Sequence, residues 1–491
     1  MKIVNPYERL GVRTFINCCG TRTIHSGTLM WAEVREAMMA ASHHFVNMDD
    51  LMDGVGRRLS ELTGAEWGMV SSGAAAALCH ATAACVTGGD PELMLRLPNT
   101  RGLKHRVLMM TDGRFTYDHA IRSVGVDVVN VSPDALGEAL DDRVAMIALL
   151  GSRESTRMDV FEKTVARARS RGIPVLVDAA SEYLQNPDPY LAMGATMVAY
   201  SGGKYLRGPQ ATGLLLGEKK WVQTAWRCAA PHHTLGRPMK VGKEEVMGVL
   251  AAVEYWAQSR DHRKEHAEWE MDLRIISEAV EKIGSVTTEV IPGESERSPV
   301  PRLAVRWDNR KWHVSGLQLR DQLLSGTPSI MLDDRGATDC SVNILPFSLQ
   351  IGDARVVGEC IAAVLANAAA PQAGDVAEPV DASGRWEVEI EFTDSRVAHQ
   401  FVIAQKEGVL SGTHRTVFLE GALTGKVVGS TLTVESQIPY EGTHLAYRFT
   451  GFLEGDSVQG EVELGSCGQS APGPLNQREY GRVGWKGRRV T

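Results

Sequence analysis

From about residue 65 to 217, short apolar runs alternate with helical patterns. EWGMVSS, RVLMMT, VDVVNVS, VAMIALL, IPVLVDAAS and TMVAYS are brief and rich in Val, Ile, Leu and Met, the pattern of strands buried on both faces. Between them lie GAAAALCHATAACVTG, YDHAIRSVG, PDALGEAL and MDVFEKTVARARSRG, the last carrying Val160, Thr164, Val165 and Ala168 on one helical face. This alternation predicts an α/β fold: a mainly parallel sheet with helices on both sides. A long helical stretch, roughly 242 to 283, leaves that unit. Beyond it PRLAVRWD, GLQLRDQLL, SVNILPFSL and ARVVGECIAAVLANA predict a smaller α+β domain of a few strands and two helices.

NAAAPQAGDVAEPVDASG, 367–384, is rich in Ala, Pro, Gly and acids without apolar periodicity and reads as a linker. After it RWEVEIEFTD, HQFVIAQKEG, VLSGTHRT, VFLEGAL, GKVVG, TLTVESQIP, LAYRFTGFLEG and SVQGEVELG are strand-sized and separated by Gly-containing turns. Around eight antiparallel strands suit a small closed barrel, lipocalin-like, in preference to a sandwich, because closure removes exposed edges. The expected division is 1–250 for an N-terminal arm and large domain, 251–370 for the small domain, 371–384 for the linker and 385–491 for the barrel.

A length of 491 residues is more than one core usually holds, which agrees with several domains. The net charge of -8 argues against nucleic acid as a partner, since that binding rests on clustered Lys and Arg. The start, MKIVNPYERLGVRTFINCC, lacks the features of a secretion signal, and no stretch offers about 18 uninterrupted apolar residues, so no membrane partner and a cytoplasmic location are expected. Eight cysteines are scattered without a C-x-x-C pair and read as reduced core residues, Cys79, Cys85, Cys228 and Cys360 among them. Cys18-Cys19, beside a Gly-Thr turn, is read the same way. Neither a disulfide framework nor a metal site is expected.

Three signals fall where a parallel sheet would gather them, beyond the carboxyl ends of its strands. In VSSGAAAAL, 70–78, a strand turns into an Ala-rich helix, so the N–H groups of Gly73, Ala74 and Ala75, with Ser71 or Ser72, can cradle a phosphate. In IPVLVDAAS an apolar run ends in Asp178, a partner for a protonated ring nitrogen. In YSGGKYLRGPQATGLLLG glycines flank Lys204, an amine able to form an imine with an aldehyde, and Ser201 stands three residues before it. Singly, each has a plainer explanation: an N-cap, a helix cap, a surface lysine. Together, and in this order, they match the phosphate, ring nitrogen and aldehyde of pyridoxal phosphate (PLP), in which the ring takes up charge from the substrate α-carbon. A stacking group on the ring is sought in RFTYDHA, either His119 or Tyr117, with core packing as the alternative for both.

FINCCGTRT, ELTGAE, SSGAAAA, YDHAIRSVG, LVDAAS, SGGKYLRGPQATGLLLG and GRPMKVGKE, in that order from about residue 5 to 370, resemble the PLP-dependent fold-type I (aspartate aminotransferase-like) family of selenocysteine synthase and D-glucosaminate-6-phosphate ammonia-lyase. The resemblance implies that Lys204 is the Schiff-base lysine and Asp178 the pyridine partner. It implies anion binding at Arg237 and Lys240, where selenocysteine synthase has an R-x-x-R pair. Arg302 is a further carboxylate candidate. Acidic Asp49, Asp50 and Asp53 stand where that enzyme has a basic patch, which points away from selenium transfer and toward a lyase. The expected reaction is α,β-elimination on an amino acid or amino sugar acid, giving a 2-oxo acid and ammonia. A racemase, aldolase or aminotransferase would share the same first steps, and a non-catalytic binding protein on this fold is the alternative from another class. The family's sites usually lie between two subunits, so a homodimer or larger homo-oligomer is implied. In the β domain His399, His414 and His444 are read as structural residues spread over separate strands.

Overall fold

The computed structural model describes residues 5–154, 157–368, 378–468 and 480–490. The chain forms two compact units, Met1–Gly113 with Tyr117–Ala368, and Arg114–Thr116 with Ala369–Thr491. The first unit opens with a short strand, β1 (Ile16–Cys18), and two helices, Ala32–Ser42 and Met48–Thr63. Its seven-stranded sheet is built from β2 (Trp67–Ser71), β3 (Arg106–Met110), β4 (Asp127–Val131), β5 (Val144–Leu150), β6 (Val175–Asp178), β7 (Met197–Ser201) and β8 (Gly213–Gly217), in the order β2-β8-β7-β6-β5-β3-β4. Only β8 runs against its neighbours. The apolar runs of the sequence become these strands because helices cover both faces: β2, β6 and β8 are buried at every position.

The helical stretch expected over 242–283 is two helices, Lys243–Gln258 and His262–Glu281. The break at Ser259–Asp261 has local causes. Asp261 accepts a hydrogen bond from Lys264 N and caps the second helix, while Arg260 turns back to donate to Tyr205 O and to pair with Glu265. A second sheet follows, from β9 (Val286–Ile291), β10 (Arg302–Trp307), β11 (Ile330–Thr338) and β12 (Ser341–Ile344), with β1 added in parallel at the edge beside β11. The helices Gly316–Ser325 and Asp353–Ala366 pack on it around Leu303, Val305, Leu332, Ile344 and Ile361.

The second unit contains a closed barrel of eight antiparallel strands, β13 (Gly384–Glu391) to β20 (Gly481–Val490), each paired with the next and the last with the first. The expected linker lies partly outside the described residues, which resume at 378. VFLEGAL and GKVVG are one strand, Glu420–Val428: Gly425 does not turn the chain but allows close pairing, since a Cβ there would meet Thr433 O at 2.2 Å. The eighth strand comes instead from Gly481–Val490. Alternation is strict, with Trp386, Val388 and Ile390 inside and polar neighbours outside, and Phe401, Phe449 and Trp485 fill the interior.

Candidate active site

Strand register places three chain ends along one edge of the large sheet. Gly213 pairs with both Ser71 and Ser201, and Asp178 pairs with Ala199. Beyond Ser71 the chain turns at Gly73, whose φ of 87° lies in the region that favours glycine, and enters the helix Ala74–Thr87. That helix is buried from Ala76 to Thr87, while Ser72 to Ala75 are half-open. No side chain caps its first turn, and a Cβ on Gly73 would meet nothing within 4 Å. Gly73 N donates to Ser71 O, and the amides of Ala74, Ala75 and Ala76 have no acceptor among the described residues, at the positive end of a 14-residue helix, the arrangement that takes a phosphate. Gly213 permits it: a Cβ there would stand 2.4 Å from Ala74 N.

Asp178 is 6% exposed. One carboxylate oxygen accepts from Ala180 N at 2.9 Å, and the other has no protein partner among the described residues. Burial pushes its pKa up, with the Ala180 N–H and the charge of Lys204 opposing. Lys204 follows β7 on a tight loop. Gly202 N donates to Thr212 O, Gly208 N to Gly202 O and Arg207 N to Lys204 O. The flanking glycines serve that packing, because a Cβ on Gly202 would fall 2.1 Å from Thr212 Oγ1 and one on Gly203 2.4 Å from Gln210 Cα. Burial pushes the Lys204 amine below its ordinary value; Asp178 opposes that and Arg335 adds to it. The amine has no hydrogen-bond partner among the described residues. A desolvated amine beside an anion, with no protein acceptor, is suited to nucleophilic and proton-transfer work.

The sequence reading missed Arg335, on β11. Asp333 holds its guanidinium through both oxygens, and Arg335 also donates to Cys19 O. Arg22 bridges Asp333 and Asp334, and Arg320 pairs with Asp334 at 2.8 Å. Arg320 is also held by Asp321 at 2.7 Å, so Arg22, Arg320 and Arg335 stand over three carboxylates, and the network fixes the guanidiniums in place. Arg335 is a small-sheet arginine whose charge bears on Lys204; Arg302, the carboxylate candidate, faces Glu294 at 3.7 Å. An isolated RG step on a strand carries no signal for this, because the role depends on β11 lying beside β1. The chain after β1 closes over the lysine loop: Thr28 Oγ1 donates to Gly203 O at 3.2 Å, Gln210 to Thr23 O, and Arg207 stacks on Trp31 with its guanidinium carbon 3.9 Å from the ring centre.

Tyr117 and His119, at the start of the Asp118–Arg122 helix after β3, are exposed, Tyr117 by 54%. Arg237 and Lys240 are exposed on the turn before Lys243–Gln258. Cys18 and Cys19 are fully buried, and burial pushes the Cys19 thiol up to about 12, so neither is a ready thiolate. Among the described residues no group of His, Cys, Asp and Glu is placed to hold a metal, and no helix is long and apolar enough to cross a membrane.

In the barrel His399 and His414 lie on separate strands and their rings meet: His399 Nδ1 lies 2.8 Å from His414 Nε2, and His414 Nδ1 lies 2.8 Å from Ser436 Oγ. Tyr447 packs edge-on to both rings. A cavity of about 940 Å³ runs along the outside of the barrel past Glu387, Gln400, Phe452 and Arg488. Its charged side chains Glu387, Arg415, Glu454, Lys486 and Arg488 are exposed, whereas the perturbed carboxylate and amine lie at the sheet edge, so the chemistry is assigned there.

No family model matches the chain. Across 343 residues it is 31% identical to 5'-C-glycyluridine monooxygenase-decarboxylase of a Streptomyces species, covering 67% of this chain and 84% of that one. The chain belongs to the PLP-dependent fold-type I family. It is 28% identical over 338 residues to D-glucosaminate-6-phosphate ammonia lyase of Salmonella typhimurium, 66% of this chain and 88% of that one. A solved structure of D-glucosaminate-6-phosphate ammonia-lyase matches with a TM-score of 0.66 and 26% identity, covering 75% of this chain and all of the other. A shorter stretch of 138 residues is 27% identical to L-seryl-tRNA(Sec) selenium transferase of Proteus mirabilis, 26% of this chain and 28% of that one. This family's cofactor fits the residues present: an open helix N-terminus for a phosphate, a carboxylate oxygen without a partner for a ring nitrogen, and a desolvated amine for an aldehyde.

Proposed function

We propose that this chain is a PLP-dependent lyase that acts on an amino acid or amino sugar acid by α,β-elimination, releasing a 2-oxo acid and ammonia. The observation that carries the reading is Lys204, a desolvated amine without a protein acceptor, between the Asp178 carboxylate and the Arg335 guanidinium. The likeness to D-glucosaminate-6-phosphate ammonia lyase along 88% of that enzyme supports the reaction class. When bound, PLP supplies the electron sink that stabilises negative charge at the substrate α-carbon.

The residues of the chain do the rest. Ser72, Gly73 and Ala74, with Ser201, hold the phosphate; Asp178 keeps a positive charge on the ring nitrogen; Arg335 takes the substrate carboxylate. Lys204 removes the α-proton, and its lowered basicity lets it begin as a free base nearer neutrality. The 20–31 segment, packed on the lysine loop by Thr28 and Trp31, limits water there. Arg237 and Lys240 are proposed contacts for a further anionic group, and His119 or Tyr117 for the ring face.

A homodimer or larger assembly belongs to this reading. Ile24, Leu29, Met39, Phe45 and Val46 are exposed apolar residues on the N-terminal segment, Phe45 completely, which is a costly surface for a monomer. A cytoplasmic location goes with it. Incubating the protein with PLP and hydroxy-amino acids, D-isomers and phosphorylated sugar acids included, and assaying 2-oxo acid and ammonia tests the reading; racemisation without ammonia contradicts it. The 31% identity to a monooxygenase-decarboxylase favours one second reading, oxidative decarboxylation, in which the same screen would consume O2 and release CO2.

A further inference from the structure

Four residues beyond Asp178, Glu182 is 6% exposed and belongs to a hydrogen-bond cluster without a role so far. Tyr190 Oη lies 2.9 Å from Gly151 O and 3.0 and 2.9 Å from the two oxygens of Glu182. A tyrosine hydroxyl has one hydrogen to donate. Gly151 O accepts only, and an ionised Glu182 would accept only as well, so one contact would bring two acceptors together in a buried site. The conflict disappears if Glu182 carries the proton: it donates to Tyr190 Oη, and Tyr190 donates to Gly151 O. The surroundings agree, since Arg297 Nε stands 4.0 Å away, too far to hydrogen-bond the carboxylate, and burial pushes Glu182 up to about 7.

The chain of bonds ends beside Asp178. Gly151 follows Leu150, which pairs with Asp178, and a Cβ on Gly151 would lie 3.0 Å from Asp178 O, 2.8 Å from Glu182 Oε1 and 3.0 Å from Tyr190 Oη. We propose that Glu182 is a positioning residue for Asp178, holding a proton and donating it to Tyr190 so that Tyr190 clamps the end of β5 against the Asp178 peptide. The charged and titratable groups facing it are Tyr190 and Asp188 on the Pro189–Ala192 helix and its cap, Arg297 on the β9–β10 connection, and Asp178 itself. Asp188 is already occupied by Tyr200 Oη and the Tyr190 and Leu191 amides, so it cannot take over the role. As pH rises past neutrality Glu182 loses its proton to solvent, competes with Gly151 O for the Tyr190 hydrogen and sets a second anion near Asp178.

This inference rests on the cofactor assignment but not on the reaction. Infrared difference spectra between acidic and alkaline buffer should contain the carbonyl band of a buried protonated carboxyl that is missing from Glu182→Gln; this needs no cofactor. In the PLP-loaded protein the absorbance should titrate near neutrality in wild type and be flat in Glu182→Gln, whose amide still donates to Tyr190. Tyr190→Phe and Glu182→Ala should weaken PLP binding about fivefold, and Glu182→Gln should restore it. Wild type without the band, or a Glu182→Gln protein that titrates like wild type, would overturn the proposal. Failure to release ammonia with these spectra intact would count against the lyase reading alone.

Discussion

At the edge of the large sheet Asp178 is buried and Lys204 half-buried, and among the described residues the amine and one carboxylate oxygen have no protein partner. His399, His414 and Ser436, inside the barrel, are all buried and bond one another at 2.8 Å. A buried polar group without a partner costs about 1–3 kcal/mol, and a fold retains that cost where something outside the protein will occupy the gap. The difference separates two polar groups within one chain: the lysine and carboxylate at the sheet edge are left open, and the barrel histidines are closed on each other.

Breaking the open side should have the largest effect. Lys204→Ala should remove the absorbance of the bound cofactor and reduce turnover by at least about 10³-fold, measured as release of the 2-oxo acid. Asp178→Asn, which keeps the shape and removes the charge, should lower kcat by about 10²-fold with the fold intact by circular dichroism. Arg335→Gln should act mainly on KM, raising it about 10- to 100-fold, because a charge-assisted hydrogen bond to the substrate carboxylate is lost while the lysine remains. Gly213→Ala should weaken PLP binding in equilibrium dialysis, its methyl crowding Ala74 N at 2.4 Å.

The closed side should give the smallest effect on activity. His414→Phe should leave turnover unchanged and lower protection of barrel amides in hydrogen exchange. Acid should act on the barrel with a defined sign. Burial pushes His399 down to about 4 and His414 down to about 3, so both are neutral when folded, while the unfolded chain takes up their protons near 6.5. The stabilisation is complete above 6.5 and lost as pH falls toward 4, with a slope approaching about 1.4 kcal/mol per pH unit for each histidine. Hydrogen exchange of barrel peptides across that interval checks it.

How much of this was legible beforehand follows the range of the interactions. Six of the seven large-sheet strands were readable because burial writes itself as continuous apolar runs, β8 being the one not named, and Lys204 because its loop needs glycine at two packed positions. Arg335 was not, since Cys19 O, to which it donates, and Arg22, which shares Asp333 with it, come near only once β11 lies beside β1. The pairing of His399 with His414, 15 residues apart in sequence, depends on the antiparallel register of two consecutive strands. The helix break at Ser259–Asp261 depends on Arg260 reaching Tyr205, a contact 55 residues away.

The account stands most directly on the bond between the cofactor and one lysine. Borohydride reduction of the PLP-loaded protein, trypsin digestion and mass spectrometry should place the pyridoxyl group on Lys204, in a fragment spanning residues 172–207 because the modified lysine resists cleavage. A tag on any other residue, or none at all, would contradict it.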